Sequence, residues 1–308
     1  MHAVEDVSFE LDRGDTLGIV GESGSGKTAT VMSLLGLLPP PGRVVRGEIE
    51  FEGQDLLTLR DDELRRIRGN RMALIPQNPM AALNPLFTVG WQLREAIASH
   101  ASAPKREATA RVVEMLGQAG IPDPRAQLDR YPHEFSGGMR QRILIAMAML
   151  NNPVLLLADE PTTALDTTTQ ANVLELLVDI VERSKMAVLL ITHNMGVVAS
   201  MCERVIVMYR GRVVESGLVA DVFRNPKHPY TQELLRATPR FGERRSVRAV
   251  LDESTEHDAT VAGGCAYRSR CPFAEAQCAI PPALTALDDT RSVRCWVALR
   301  ESANAGVA

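Results

Sequence analysis

The sequence predicts an α/β fold in which a mainly parallel sheet is interrupted by a block of helices. Three observations predict it. Residues 21–28 read Gly-Glu-Ser-Gly-Ser-Gly-Lys-Thr, a glycine-rich turn set between a short apolar strand, Thr16–Val20, and the helical stretch Thr30–Leu35. The runs Val154–Ala158 and Ala187–Ile191 are apolar throughout, as strands covered on both faces must be. From about residue 78 to residue 150 the apolar spacing turns helical, with proline breaks at Asn84-Pro85 and at Ile121-Pro122-Asp123-Pro124.

The remaining elements follow in order. Val4–Leu11 alternates like a strand, and Arg13-Gly14-Asp15 is a turn into Thr16–Val20. Gly47–Gly53 alternates strictly and predicts a half-exposed strand. Asp61–Arg68 reads as a short charged helix, and Arg71–Gln77 as a strand with a polar end. Helices are expected at Trp91–Ser99, Lys105–Leu116, Ile143–Leu150, Thr167–Ser184 and Tyr230–Arg236, with a further strand at Arg204–Tyr209. The expected organisation is one domain over residues 1–225, holding the helical block at 78–150, and a smaller extension over residues 226–308. Asp252–Thr260 is polar and reads as a linker.

Composition narrows the function. With 4% aromatic residues and a net charge of −4, the chain lacks both the stacking platforms and the positive field that nucleic-acid binding uses. No apolar run approaches the roughly 18 residues of a membrane span and no signal peptide opens the chain, so a cytosolic protein that reaches a membrane only through partners is expected. In that compartment the five cysteines do not read as disulfides.

The glycine-rich turn carries chemistry. In the order strand, turn, helix, the backbone N–H groups of Gly21, Glu22, Ser23, Gly24, Ser25 and Gly26 converge on phosphate oxygens, helped by the positive end of the helix. Lys27 reaches the β- and γ-phosphates and the Thr28 hydroxyl holds Mg²⁺, which makes ATP with Mg²⁺ the expected ligand. The buried strand Val154–Ala158 then ends in two carboxylates. Asp159 belongs beside the metal and Glu160 beside the attacking water, as general base.

Further motifs stand in a telling order: Gln77 at a strand end, Ser136-Gly137-Gly138 ahead of a helix, Asp159-Glu160-Pro161-Thr162, Ala164-Leu165-Asp166, and Thr192-His193 closing the next strand. Together with the P-loop they resemble the ATP-binding cassette (ABC) ATPases over roughly residues 4–225. The resemblance implies a P-loop NTPase core with a helical subdomain. It implies that Gln77 senses metal and water and relays to a membrane subunit. Ser136, Gly137 and Gly138 would cap the γ-phosphate of an opposing subunit, Asp166 would cross the dimer interface, and His193 would contact the γ-phosphate. Two departures stand out. Met139 follows the two glycines where the family usually has Gln, and no adenine-stacking aromatic precedes the first strand in Met1-His2-Ala3-Val4, which points to a shortened N-terminus.

The P-loop, the stretch Phe135–Arg142 and Asn225-Pro226-Lys227-His228-Pro229-Tyr230-Thr231 are similar to the dipeptide/oligopeptide importer branch, where the last motif opens a C-terminal extension. Here the extension is Cys-rich: Cys265, Cys271, Cys278 and Cys295 are spaced C-x5-C-x6-C-x16-C. Four thiolates suit a [4Fe–4S] cluster or a structural zinc, and unligated cysteines are the third reading. Zinc sites more often show C-x₂₋₄-C pairs, while Cys271-Pro272 is like the Cys-Pro of ferredoxins, and the resemblance implies a cluster. Arg268, Arg270 and Arg294 are expected to favour thiolate, the metal serving as a staple for a tail with little core. Cys202 reads as buried packing.

The expectation is an ATPase subunit at the cytoplasmic face of the cell membrane, powering peptide uptake. Its implied partners are two transmembrane permease subunits, a second ABC ATPase subunit and an extracytoplasmic peptide-binding protein. Other cargo, such as nickel or a sugar, is an alternative. So is a non-transport ABC ATPase acting on nucleic acid or ribosomes, although a second P-loop and coiled-coil heptads are both missing.

Overall fold

The computed structural model describes residues 2–163, 165–237 and 263–305, and the polar stretch Asp252–Thr260 lies outside them. Strand β1 (Thr16–Val20) leads through the glycine-rich turn into α1 (Lys27–Leu34). The helix starts three residues earlier than the apolar spacing indicates, because Lys27 and Thr28 form its first turn rather than the end of the loop. Val4–Leu11 forms no strand. Asp6 sits at φ 57, in the left-handed region, and that breaks the extended run.

Two compact units are present. One comprises Glu10–Thr16 and Thr28–Ile191. In it, β2 (Glu50–Phe51) and β3 (Gln54–Asp55) make a two-residue hairpin in place of the longer strand expected at Gly47–Gly53. Glu52 and Gly53 both take positive φ, 50 and 78, the geometry a tight right-twisted hairpin demands. Helix α2 (Asp61–Ile67) opens on Asp61, Asp62 and Glu63 and closes on Arg65 and Arg66, matching its dipole.

Strand β4 (Met72–Ile75) is followed by α3 (Pro79–Ala82), α4 (Val89–Ala98), α5 (Lys105–Gln118) and α6 (Gly137–Met149). These helices share one apolar core in which Val89, Leu93 and Ile97 of α4 meet Val112 and Leu116 of α5 and Ile143 of α6. Each such side chain contributes about 1.5–3 kcal/mol on burial, so the block is stabilised by its own interior. Then come β5 (Leu155–Asp159), α7 (Thr167–Ser184) and β6 (Ala187–Thr192). β4, β5 and β6 pair in parallel, Ile75 opposite Ala158 and Asp159 opposite Ile191. All six residues of β6 are buried, as an uninterrupted apolar run requires.

The other unit comprises Met1–Phe9, Leu17–Lys27 and Thr192–Ala308. Helix α8 (Met195–Met201) packs close to β1: a Cβ on Gly18 would stand 2.8 Å from Val198 Cγ1 and 3.4 Å from the sulfur of Cys202. Cys202 is buried, as expected, and burial pushes its thiol up to about 12. β1 pairs in parallel with β7 (Arg204–Tyr209), which turns antiparallel into β8 (Arg212–Leu218). α9 (Val219–Arg224) and α10 (Pro229–Ala237) follow.

The tail then adds two short strands, β9 (Thr285–Ala286) and β10 (Ser292–Val293), before α11 (Trp296–Ala305). β10 pairs with β8, Ser292 opposite Ser216 and Val293 opposite Glu215. Backbone pairing thus joins the tail to this unit, and a buried ion pair reinforces it. Arg291 reaches Glu215 at 2.6 Å, while the N–H groups of Lys227 and His228 each donate to the same carboxylate at 2.9 Å. With three partners, the Glu215 charge is satisfied where water is excluded.

Candidate active site

In the first-described unit the strand ends converge. Asp159 closes β5 and is 3% exposed. Glu160 follows at φ 47, a left-handed conformation costly for a residue with a Cβ, and its N–H donates to the Ile191 carbonyl at 2.8 Å. That turn lifts the Glu160 side chain out of the sheet, where it is half-buried. Gln77 Nε2 donates to Glu160 Oε2 at 3.1 Å, and Thr163 Oγ1 donates to the same oxygen at 2.8 Å. The predicted base and the predicted sensor are therefore in direct contact. Thr163 has no role in the sequence reading; its place three residues after Glu160 is the signal that points to it.

Ser136 is the N-cap of α6, its Oγ accepting from the Met139 N–H at 3.3 Å, so Gly137 and Gly138 form the first turn and present open N–H groups. Gly138 also has a packing reason to be glycine. A Cβ there would come within 2.4 Å of Thr169 Cγ2 at the start of α7. Met139, where the family usually has Gln, packs against the helical core. Asp166 is exposed and caps α7, accepting from the Thr169 N–H at 3.0 Å. That hydrogen bond lowers its carboxyl below the usual range.

In the other unit lies the P-loop itself. Lys27 is 6% exposed, and its Nζ donates to the carbonyls of Gly21 at 2.7 Å and Glu22 at 2.8 Å, folding the side chain back over the loop. The glycines are needed for close approach. A Cβ on Gly21 would meet the Met208 carbonyl oxygen at 2.2 Å, and Gly26 combines φ 102 with the Ala3 carbonyl at 2.7 Å. Gly211 N–H donates to Ser25 O at 2.9 Å, tying the loop to the β7–β8 turn. His193 is exposed, directly ahead of the Asn194 cap of α8. Two tail residues that the sequence reading leaves without a role at the loop touch it. Tyr230 Oη accepts from the Glu22 N–H at 2.8 Å, and Arg270 forms an ion pair with the Glu22 carboxylate at 3.0 Å.

None of the four tail cysteines is in a disulfide; Cys278 and Cys295 are buried, Cys265 and Cys271 half-buried. The Cys265 N–H donates to the Cys278 carbonyl at 2.9 Å. Burial pushes Cys265, Cys271 and Cys295 up, and the neighbouring thiols add to it: Cys271 feels Cys295, Cys265 and Cys278. The four therefore lie within electrostatic reach of one another. Among the described residues, however, no three or more His, Cys, Asp or Glu side chains are placed to hold a metal ion. Two of the three arginines named from the sequence have other partners: Arg270 bridges Glu22 and Glu233, and Arg294 holds Asp6 and the Val213 carbonyl. No helix among the described residues is long and apolar enough to cross a membrane.

Comparison with known proteins places the chain in a family. Residues 4–163 match the ABC transporter family, and residues 214–278 match the oligopeptide/dipeptide transporter C-terminal region. The dipeptide transport ATP-binding protein DppD of Haemophilus influenzae is 45% identical, over 98% of this chain and 92% of that one. DppD of Bacillus subtilis is 46% identical, over 96% and 89%. Among solved structures, the dimeric, post-hydrolysis ATP-binding cassette MJ0796 bound to ADP and Pi aligns with a TM-score of 0.62 and 30% identity, over 70% of this chain and 90% of that one. The cbiO1 subunit of the Clostridium perfringens cbiONQ transporter complex aligns with a TM-score of 0.62 and 27% identity, over 73% and 85%.

Proposed function

This chain belongs to the ABC transporter family as the ATP-binding subunit of a dipeptide or oligopeptide importer, and on that premise we propose how its residues divide the work. Gly21–Gly26 and Lys27 grip the triphosphate, Lys27 exchanging its two carbonyl partners for phosphate oxygens, and Thr28 and Asp159 hold Mg²⁺. The metal supplies neutralisation of charge on the β- and γ-phosphate oxygens. Glu160 takes a proton from the attacking water. Gln77, bonded to Glu160 and leading from β4 toward the helical block, makes the base's position answer to whatever presses on that block. His193 contacts the γ-phosphate.

Ser136, Gly137 and Gly138 offer their N–H groups to the nucleotide of a second ATPase subunit, with Asp166 at the junction. The reading gains support from the dimeric relative. Two permease subunits, an extracytoplasmic peptide-binding protein and a seat on the cytoplasmic face complete the assembly. The domain division is residues 1–225 for hydrolysis, with the helical block at 78–150, and residues 226–308 for the importer-type extension. For the four cysteines the proposal is a [4Fe–4S] cluster. It is supported by their mutual electrostatic reach and by Cys271-Pro272, and a single zinc ion is disfavoured because the C-x₂₋₄-C pairs common in zinc sites are absent from the spacing.

The observation that carries this reading is the Gln77–Glu160–Thr163 contact at the end of β5. Its test is Glu160→Gln in the assembled importer. Removing a positioned base costs about 10²–10⁴ in rate, so hydrolysis should fall by that factor while ATP stays bound. Turnover within a factor of two of the unaltered complex would assign the base elsewhere.

A further inference from the structure

Residue 22 of the P-loop is held from both sides by the C-terminal extension. Its N–H donates to Tyr230 Oη at 2.8 Å, and its carboxylate receives two guanidinium bonds from Arg270, 3.0 and 3.1 Å long. Arg270 does not swing freely to make them. Its Nη2 also donates to Glu233 at 2.5 Å, its guanidinium lies 5.7 Å from the Tyr267 ring centroid, and the Tyr267 hydroxyl in turn donates to Glu233. A planar cation bridging two carboxylates beside an aromatic ring is pre-organised.

The contact has an electrostatic consequence for the loop. The Glu22 carbonyl is one of the oxygens that hold Lys27 Nζ, so a residue that helps park the phosphate-gripping lysine is the one clamped by the tail. Glu22 also brings a negative charge into a cradle built for a triphosphate, and Arg270 supplies the opposite charge to it. Without that partner the carboxylate would oppose the nucleotide, and residue 22 would lose one of its anchors to the tail.

We propose that Arg270 is a positioning residue for nucleotide binding: the C-terminal extension sets the ATP affinity of the P-loop by neutralising and anchoring Glu22. The inference rests on the P-loop being the ATP site. Arg270 precedes Cys271 in the chain, so a rearrangement of the cysteine-bearing tail has a direct route to the loop through this side chain.

The test titrates the full chain with Mg-ATP by calorimetry and measures KM and kcat in the assembled importer. Arg270→Gln is expected to weaken ATP binding about twofold to fivefold, the upper part of the range for a half-exposed ion pair, and to raise KM with kcat nearly unchanged. Arg270→Lys, keeping the charge but not the fork, should recover part of the loss. Glu233→Gln leaves the Glu22 contact in place and should change affinity less than Arg270→Gln; equal losses would mean that Arg270 merely holds the tail together. In a Glu22→Gln background the effect of Arg270→Gln should nearly vanish. An undiminished effect there, or wild-type affinity in Arg270→Gln, overturns the proposal. Failure of the unaltered chain to bind Mg-ATP would instead overturn the reading of the P-loop beneath it.

Discussion

At Gly138 the proposed ligand and the fold ask for the same residue. The loop-to-helix turn presents its N–H, and the facing Thr169 methyl leaves no room for a Cβ. Thr169 is short and branched, so it cannot bend away as the end of a long side chain would. Gly138→Ala is therefore expected to destabilise the chain by about 1–3 kcal/mol, the cost of overpacking, read as a lower urea midpoint. Thr169→Ser in the same chain removes the methyl and keeps the hydroxyl, and should restore most of the loss. Failure to restore it would place the strain in the α6 backbone. Asp166 has a structural duty beside its proposed one. The sequence marks it as a dimer-facing residue, and the structure adds that it caps α7.

At the level of elements, the start of α10 is fastened by one buried histidine. His228 accepts the Tyr230 N–H at Nδ1, 3.1 Å away, its own N–H is taken by Glu215, whose charge Arg291 balances, and the Tyr267 ring lies 5.7 Å off. Burial lowers its pKa from 6.5 to about 3. The native state thus refuses a proton that the unfolded chain accepts. Stability is complete above pH 6.5 and falls by up to about 1.4 kcal/mol per pH unit as pH drops from 6.5 toward 3. Urea midpoints at pH 7.5 and 5.0 should differ more for the unaltered chain than for His228→Gln; parallel profiles would show that another group titrates in that window. The motif His228-Pro229-Tyr230 is legible in the sequence as a helix start. Its burial is not, because it depends on Glu215 and Tyr267, which belong to other elements of the fold.

For the molecule as a whole, the tail decides what the chain carries besides nucleotide. If Cys265, Cys271, Cys278 and Cys295 hold a cluster, anaerobically purified protein is brown and contains iron and sulfide in equal stoichiometric amounts, and Cys278→Ser loses both. Zinc in their place, or no metal at all, would refute the cluster. Hydrolysis gives a second measure at this scale. Each proposed site joins one subunit's P-loop to another's Ser136-Gly137-Gly138, so the isolated monomer should turn over ATP far more slowly than the complex; equal rates would count against a shared site.

Residue spacing alone sufficed for the α/β class, the P-loop, the carboxylate pair at the end of β5 and the long helices, since each is written in contiguous residues whose periodicity or backbone needs are local. It failed where left-handed residues redirect the chain, as at Asp6 and at Glu52-Gly53. It also failed for the short strands β9 and β10, too brief to show a period. Three-dimensional packing alone decided which distant side chains meet: Gln77 with Glu160, 83 residues apart, and Arg270 with Glu22, 248 apart. The physical reason is that a salt bridge or hydrogen bond across such a separation leaves no mark on the residues near either partner. Only the sheet register and the path of the tail bring the two ends together.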